Sequence, residues 1–222
     1  VIVCGTDGLP YPTAELAWGL ILDLARNISE ENEAVKDGEW QTTLGVGLKG
    51  KTLGLIGLGN LGGQVANYGN AFGMNVIAWS QNLTEEKAKD KNATYVDLDT
   101  LMSESDFISI HTVLSERTLG LIDSSKLQLM KKSSFIVNTS RGPIIDESAL
   151  VEALDNAQIA GAGLDVFGLE PMPSDHPLIT SNRTVITPHI GYVTQETYKI
   201  FYEHTVECIA AFINGKPVRA LS

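Results

Sequence analysis

The sequence predicts a doubly wound α/β fold, a parallel sheet with helices on both faces. Two observations carry this. From Lys51 onward, β-prone runs at 52–57, 75–79, 107–110, 134–138, 160–164 and 184–186 alternate with helical stretches at 61–72, 84–88, 98–103, 124–130, 147–156 and 195–214. Strands joined through helices run parallel, with right-handed crossovers. The first run also leads into Gly57-Leu58-Gly59-Asn60-Leu61-Gly62 and an amphipathic stretch. That is the strand–turn–helix order that cradles a dinucleotide pyrophosphate, as in Rossmann-like folds.

The elements follow in order. Val1-Ile2-Val3-Cys4 is an apolar, strand-like run. Pro12-Thr13-Ala14-Glu15 opens a long helix with Thr13 as its N-cap; Leu16, Leu20, Leu24 and Ile28 share one face. The helix fades in the acidic stretch 29–33, and 37–50, rich in glycine and containing Trp40, reads as an irregular excursion. In the glycine turn, Gly57 permits the bend, Gly59 removes a side chain that would block a phosphate, and Gly62 lets the helix approach the strand. The helix N-terminus then presents free N–H groups and a positive dipole end.

Composition narrows the function. A net charge of −11 argues against a nucleic-acid surface. No apolar run reaches membrane-spanning length. Cys4 and Cys208 alone make neither a disulfide framework nor metal-type spacing, which fits a reduced, cytoplasmic setting.

In such a sheet, ligands sit beyond the C-terminal ends of the strands. The residues there are Gly57 to Gly62, Ser80 with Gln81 and Asn82, His111 to Leu114, Thr139 with Ser140 and Arg141, Asp165 to Glu170, and Pro188 to Gly191. Arg141 can fork onto a carboxylate with two parallel hydrogen bonds. A carboxylate such as Glu170 beside His189 favours the protonated imidazole, a proton donor for a carbonyl oxygen. Arginine, glutamate and histidine beside a dinucleotide turn point to hydride reduction of a 2-keto acid. Taken singly, each has a plainer reading: a surface arginine, a solvated turn carboxylate, a core histidine.

Five motifs, Gly57–Gly62, His111-Thr112-Val113-Leu114-Ser115-Glu116-Arg117-Thr118, Asn138-Thr139-Ser140-Arg141-Gly142, Leu164-Asp165-Val166-Phe167 with Glu170-Pro171, and Thr187-Pro188-His189-Ile190-Gly191, resemble the D-isomer-specific 2-hydroxyacid dehydrogenases over nearly the whole chain. That group includes glyoxylate/hydroxypyruvate reductases and D-3-phosphoglycerate dehydrogenases. The resemblance implies a catalytic set of Arg141, Glu170 and His189. It implies cofactor contacts at Asn60 and Leu61 (pyrophosphate), Ser80 (adenosine ribose), Val113 and Thr118 (adenosine and phosphate side), and Thr139 and Asp165 (nicotinamide side). Gln81, Asn82, His111, Ser140, Arg141, His189 and Gly191 join this cofactor set, with the turn glycines Gly57, Gly59 and Gly62, by their place at the strand ends. It also implies a homodimer through 13–28 and the segment around Trp40.

Family members carry an N-terminal substrate domain of roughly a hundred residues. The chain therefore reads as the cofactor-binding portion of a larger enzyme: 1–50 a crossover helix and dimerisation segment, 51–192 the dinucleotide-binding domain, and 193–222 a C-terminal helix that returns to the substrate domain. An acid expected after the second strand is replaced by Ser80, so neither NAD nor NADP is strongly selected, and the reading leans toward NADP or dual use. Lys87 and Lys89 could meet a 2′-phosphate only if their helix turned toward the site. The competing reading is a non-catalytic, dinucleotide-sensing protein resembling a corepressor branch; phosphite oxidation is a third. The substrate expected is a small 2-keto or 2-hydroxy acid, with no metal.

Overall fold

A computed structural model describes residues 1–181 and 183–221. Its centre is one seven-stranded sheet: β1 (Thr52–Ile56), β2 (Asn75–Trp79), β3 (Thr94–Tyr95), β4 (Phe107–Ile110), β5 (Phe135–Asn138), β6 (Gly161–Leu164) and β7 (Thr184–Ile186). The order is β3-β2-β1-β4-β5-β6-β7 and every pairing is parallel. This is the doubly wound, Rossmann-like sheet expected. The chain winds outward from β1 through β2 to β3, then crosses back to β4 on the other side of β1, and this reversal opens a crevice at the C-terminal end of β1.

Alternation along the strands feeds two cores. Leu53, Leu55, Val76, Ala78, Phe107 and Val137 face one side, against α1 (Pro12–Arg26) and α3 (Asn60–Ala71). Ile56, Ile77, Ile108, Ile110, Ile136 and Leu164 face the other, against α5 (Leu98–Glu104), α6 (Ser124–Leu129) and α7 (Glu147–Asp155). Burial on both faces explains why these strands read as near-continuous apolar runs.

Register aligns the strand ends. Ile56 pairs with Trp79 and Ile110, Ile110 with Asn138, Asn138 with Leu164, and Leu164 with Ile186. Gly57, Ser80, His111, Thr139, Asp165 and Thr187 follow these residues and so share one edge.

The N-terminal third differs from the sequence reading. The first helix starts at Pro12, with Tyr11 in the N-cap position and no side-chain cap. Proline's fixed φ suits the first helical turn, and Thr13 is left to face the site. The helix does not fade. It breaks at Asn27, which is left-handed (φ 52°), and α2 (Ile28–Lys36) follows. Asp23 accepts from the Ser29 N–H across the break, and Glu31 accepts from the Thr43 N–H and hydroxyl (both 2.6 Å), pinning α2 to the following loop. Ile28 is therefore 54% exposed, and the apolar face instead includes Ala14, Ala17, Trp18, Leu20, Ile21 and Leu24. Val1–Cys4 contributes one antiparallel bridge, Cys4 to Ala220, and no strand. Also unforeseen were β3, α8 (Pro177–Thr180) and a 3-10 turn at Gly142–Ile144. Among the described residues, no helix is long and apolar enough to cross a membrane, and no cluster of potential metal ligands occurs. Ser222, in the expected C-terminal segment, lies outside the described residues; that segment's helix is α9 (Gln195–Ile213).

Candidate active site

The glycine turn joins β1 to α3. Gly57 has φ +98°, and a Cβ there would meet the His111 backbone at 2.7 Å. A Cβ on Gly62 would sit 2.1 Å from the Gly57 carbonyl oxygen. Both positions therefore exclude any side chain. At Gly59, by contrast, a Cβ would meet nothing within 4 Å, so the space over the turn is open. Gly59 is the N-cap of α3 and no side chain caps that helix. The first N–H groups of the helix are left without intrahelical partners. Asn60 and Leu61 stand at this terminus.

Beneath the turn, His111 donates its backbone N–H to Ile56 O, and its Nε2 lies 2.9 Å from Ser109 Oγ. Burial pulls its pKa from 6.5 to about 4, so it is neutral near pH 7.

Across the edge, one cleft of about 440 Å³ is lined by Leu61, Thr139, Ser140, Arg141, Asp165, His189 and Gly191, with Thr13 and Tyr192. The first seven are residues expected from the sequence at the strand ends. His189 Nδ1 is 2.6 Å from Glu170 Oε2. Glu170 Oε1 accepts the Phe167 N–H at 2.9 Å. Burial tends to raise the Glu170 pKa, but the His189 hydrogen bond, the Phe167 N–H and the charges of His189 and Arg141 outweigh it, and the carboxyl lies below its ordinary range. It stays ionised, and with Nδ1 committed to it, Nε2 is the histidine nitrogen left for a ligand.

His189 has φ +56°, a left-handed conformation that strains a non-glycine residue. Asp165 holds it there. Its Oδ1 accepts from the Thr187 hydroxyl (2.5 Å) and the Ile190 N–H (2.8 Å), and its Oδ2 from the Gly191 N–H (2.9 Å). Asp165 is 1% exposed. Asn138 braces the arginine turn in the same way: its Nδ2 donates to Arg141 O (2.9 Å) and its Oδ1 accepts from Ser140 N (3.0 Å). Ser140 Oγ donates to Thr112 O.

The bracing roles of Asn138 and Thr187 were not foreseen, although both lie within motifs at strand ends. Thr139 Oγ1 is buried with no hydrogen-bond partner. An orphaned hydroxyl in the cleft wall, open space over Gly59 and an uncapped helix terminus together fit a dinucleotide.

Other expected residues lie apart from this wall. Ser80 O accepts from Leu83 N in a turn, and Gln81 and Asn82 are exposed. Val113 is 81% exposed. The Thr118 hydroxyl serves its own loop, donating to Val113 O and accepting from Ser115 N. Lys87 and Lys89 are exposed on α4 (Glu85–Lys89). Behind the His189–Glu170 pair, an apolar cavity of about 630 Å³ is lined by Phe167, Met172, Ile179, Ile186, Pro188 and Tyr192.

Fold and site together define a dinucleotide-binding domain of an oxidoreductase. Residues 18–191 match the model described as "D-isomer specific 2-hydroxyacid dehydrogenase, NAD binding domain", and the chain belongs to that family. It is 42% identical to a glyoxylate reductase of Aeropyrum pernix over 97% of this chain and 68% of that protein. It is 38% identical to a D-3-phosphoglycerate dehydrogenase of Bacillus subtilis over 98% of this chain and 42% of that protein. A crystal structure of D-lactate dehydrogenase from Aquifex aeolicus, complexed with NAD and lactic acid, superposes with a TM-score of 0.84 at 31% identity, covering all of this chain and 74% of that one.

Proposed function

We propose that this chain is the cofactor-binding portion of a dehydrogenase that interconverts a small 2-keto acid and the D-2-hydroxy acid. The observation that carries the reading is the His189–Glu170 pair, 2.6 Å apart, in a cleft shared with Arg141. The reduced nicotinamide supplies a hydride to the keto carbon.

Arg141 binds the substrate carboxylate and polarises the ketone. His189 gives the Nε2 proton to the ketone oxygen as negative charge develops there. Glu170, 2.6 Å from His189 Nδ1, fixes the ring and leaves Nε2 toward the substrate. In the oxidative direction, neutral His189 takes the hydroxyl proton. The apolar cavity behind the pair takes the substrate's side chain.

For the dinucleotide, the Asn60 and Leu61 N–H groups take the diphosphate at the glycine turn. Ser80, Gln81 and Asn82 lie toward the adenosine ribose, and Val113 and Thr118 toward the adenosine and phosphate side. His111 supports the turn. Thr139 donates its free hydroxyl on the nicotinamide side, with Ser140 and Gly191 beside it, while Asp165 acts there by holding the His189 loop. The matched NAD-binding family model supports NAD. Ser80 in place of an acid neither repels nor grips a 2′-phosphate, so we infer that NADPH is accepted as well.

Exposed Trp40, Leu44 and Val46 support a homodimer through the 1–50 segment. Residues 51–192 form the dinucleotide unit and 193–222 the return toward a substrate domain. Two free cysteines suit a reducing cytoplasm. The test is a titration with NADH and with NADPH, followed by quenching of Trp18, Trp40 and Trp79. Saturable quenching by either is expected; a folded sample that binds neither would sink the proposal.

A further inference from the structure

One cation stands at the glycine turn that no step above uses. Lys91 follows α4, and its Nζ donates to the carbonyl oxygen of Gly59 at 2.7 Å. The side chain lies across the first turn of α3: a Cβ on Gly63 would come 3.0 Å from Nζ and 3.2 Å from Cδ. The missing side chain at Gly63 is what lets the lysine settle there. Lys91 is half-buried in a cleft with Asn60, Gly63, Gln64, Asn67 and Asp90. Asp90 is the carboxylate among these cleft neighbours, yet no salt bridge to Lys91 forms within 4.0 Å among the described residues. Among the described residues, two of the three ammonium protons thus have no protein acceptor.

The electrostatics are unusual. The N-terminus of a helix carries a positive partial charge, and a cation beside it is unfavourable by the same fraction of a kcal/mol that an anion there is favourable. Here an ammonium and an uncapped helix N-terminus meet at one turn, with open space over Gly59 and, among the described residues, no anion paired to either. An anion bound at the turn removes that conflict and gains from both.

We propose that Lys91 is a phosphate-binding residue of the dinucleotide site, and that its ammonium acts on the diphosphate common to NADH and NADPH. The inference rests on the dinucleotide reading above. The hydrogen bond to Gly59, the glycine of the turn itself, favours the diphosphate over a 2′-phosphate near Ser80.

The experiment compares the wild type with Lys91→Gln and Lys91→Arg. NADH and NADPH are titrated by tryptophan quenching at low and high salt, with thermal melts alongside. One partly exposed charge contact gives about a fivefold change. Lys91→Gln should weaken both dinucleotides about fivefold at low salt and flatten the salt dependence of Kd. The melting temperature should hold, and Lys91→Arg should restore most of the affinity.

Unchanged affinity in Lys91→Gln overturns the inference. So does a loss confined to NADPH, which would move the ammonium to the 2′-phosphate. So does a loss with an unaltered salt slope and a lowered melting temperature, which would make Lys91 a strut between two loops. A wild type that binds neither dinucleotide overturns the functional reading itself, and this inference with it.

Discussion

The two ends of the cleft are built from opposite materials. At the β1 end the surface is backbone: Gly57 and Gly62 touch through main-chain atoms, and the space over Gly59 exists because a side chain is missing. At the β5–β7 end the surface is side chains held by other side chains: Asp165 gathers three donors, Asn138 braces the arginine turn, and Glu170 fixes His189. The first end takes its positive character from the terminus of helix α3, with the Lys91 ammonium beside Gly59. The second, in the proposed reaction, would place particular protons at particular atoms, which backbone cannot do. On the proposed function, a phosphate would be met by a shape and a reacting carbonyl by a braced network.

Substitutions should separate the two ends. The largest effect is expected at the turn. Gly62→Ala puts a Cβ 2.1 Å from the Gly57 carbonyl, a backbone atom with nowhere to go. Overpacking of this kind costs about 1–3 kcal/mol or more. NADH quenching should vanish or weaken at least about a hundredfold, and the melting temperature should fall by several degrees at about 2–4 °C per kcal/mol. Near-normal binding would show that the turn can relax, and would break the steric half of the comparison.

Next is Asp165→Asn. A carboxamide offers one acceptor oxygen where the native residue meets three donors on two oxygens. Leaving buried donors unsatisfied costs about 1–3 kcal/mol. His189 should lose its left-handed loop, so turnover should fall more than dinucleotide affinity. Equal loss of both would place Asp165 directly on the cofactor.

The smallest effect comes from His111. Its folded pKa of about 4 lies below the unfolded 6.5, so the unfolded chain binds the extra proton first. The stabilisation is complete above pH 6.5 and drains away as pH falls toward 4. Between pH 7 and 5 this is about 1–2 kcal/mol. Thermal midpoints measured over that range should drop on acidification, and His111→Gln should flatten the drop. An equally steep drop in the variant would assign the acid sensitivity elsewhere.

Legibility in the sequence follows the same division. The turn was readable because its glycines, strand and helix are contiguous, and steric rules act at short range. The parallel sheet was readable from alternation. The convergence of Arg141, Glu170 and His189 was readable because all three follow strands that end on one edge of the sheet.

What holds them was not. Asp165 works through Thr187, Ile190 and Gly191, more than twenty residues away, and Lys91 reaches Gly59 across 32 positions. No local pattern encodes such pairings. The start of α1 was misplaced because Thr13 is a good capping residue and Pro12 a good first residue, and the proline prevailed. The acidic stretch at 29–33 looked too polar for a helix, but Asn27 restarts the chain and Glu31 ties it to Thr42 and Thr43.

The central claim is that the β5–β7 end performs proton transfer while the β1 end only binds. It is tested most directly with His189→Gln in the full-length protein. NADH oxidation by glyoxylate and NADH affinity would be measured on the same preparations. Loss of a general acid lowers turnover by about 10²–10⁴-fold. The expected result is a fall of that size with dinucleotide affinity within about twofold of the wild type. Turnover that persists in His189→Gln at a comparable rate would contradict the claim and remove His189 from the chemistry.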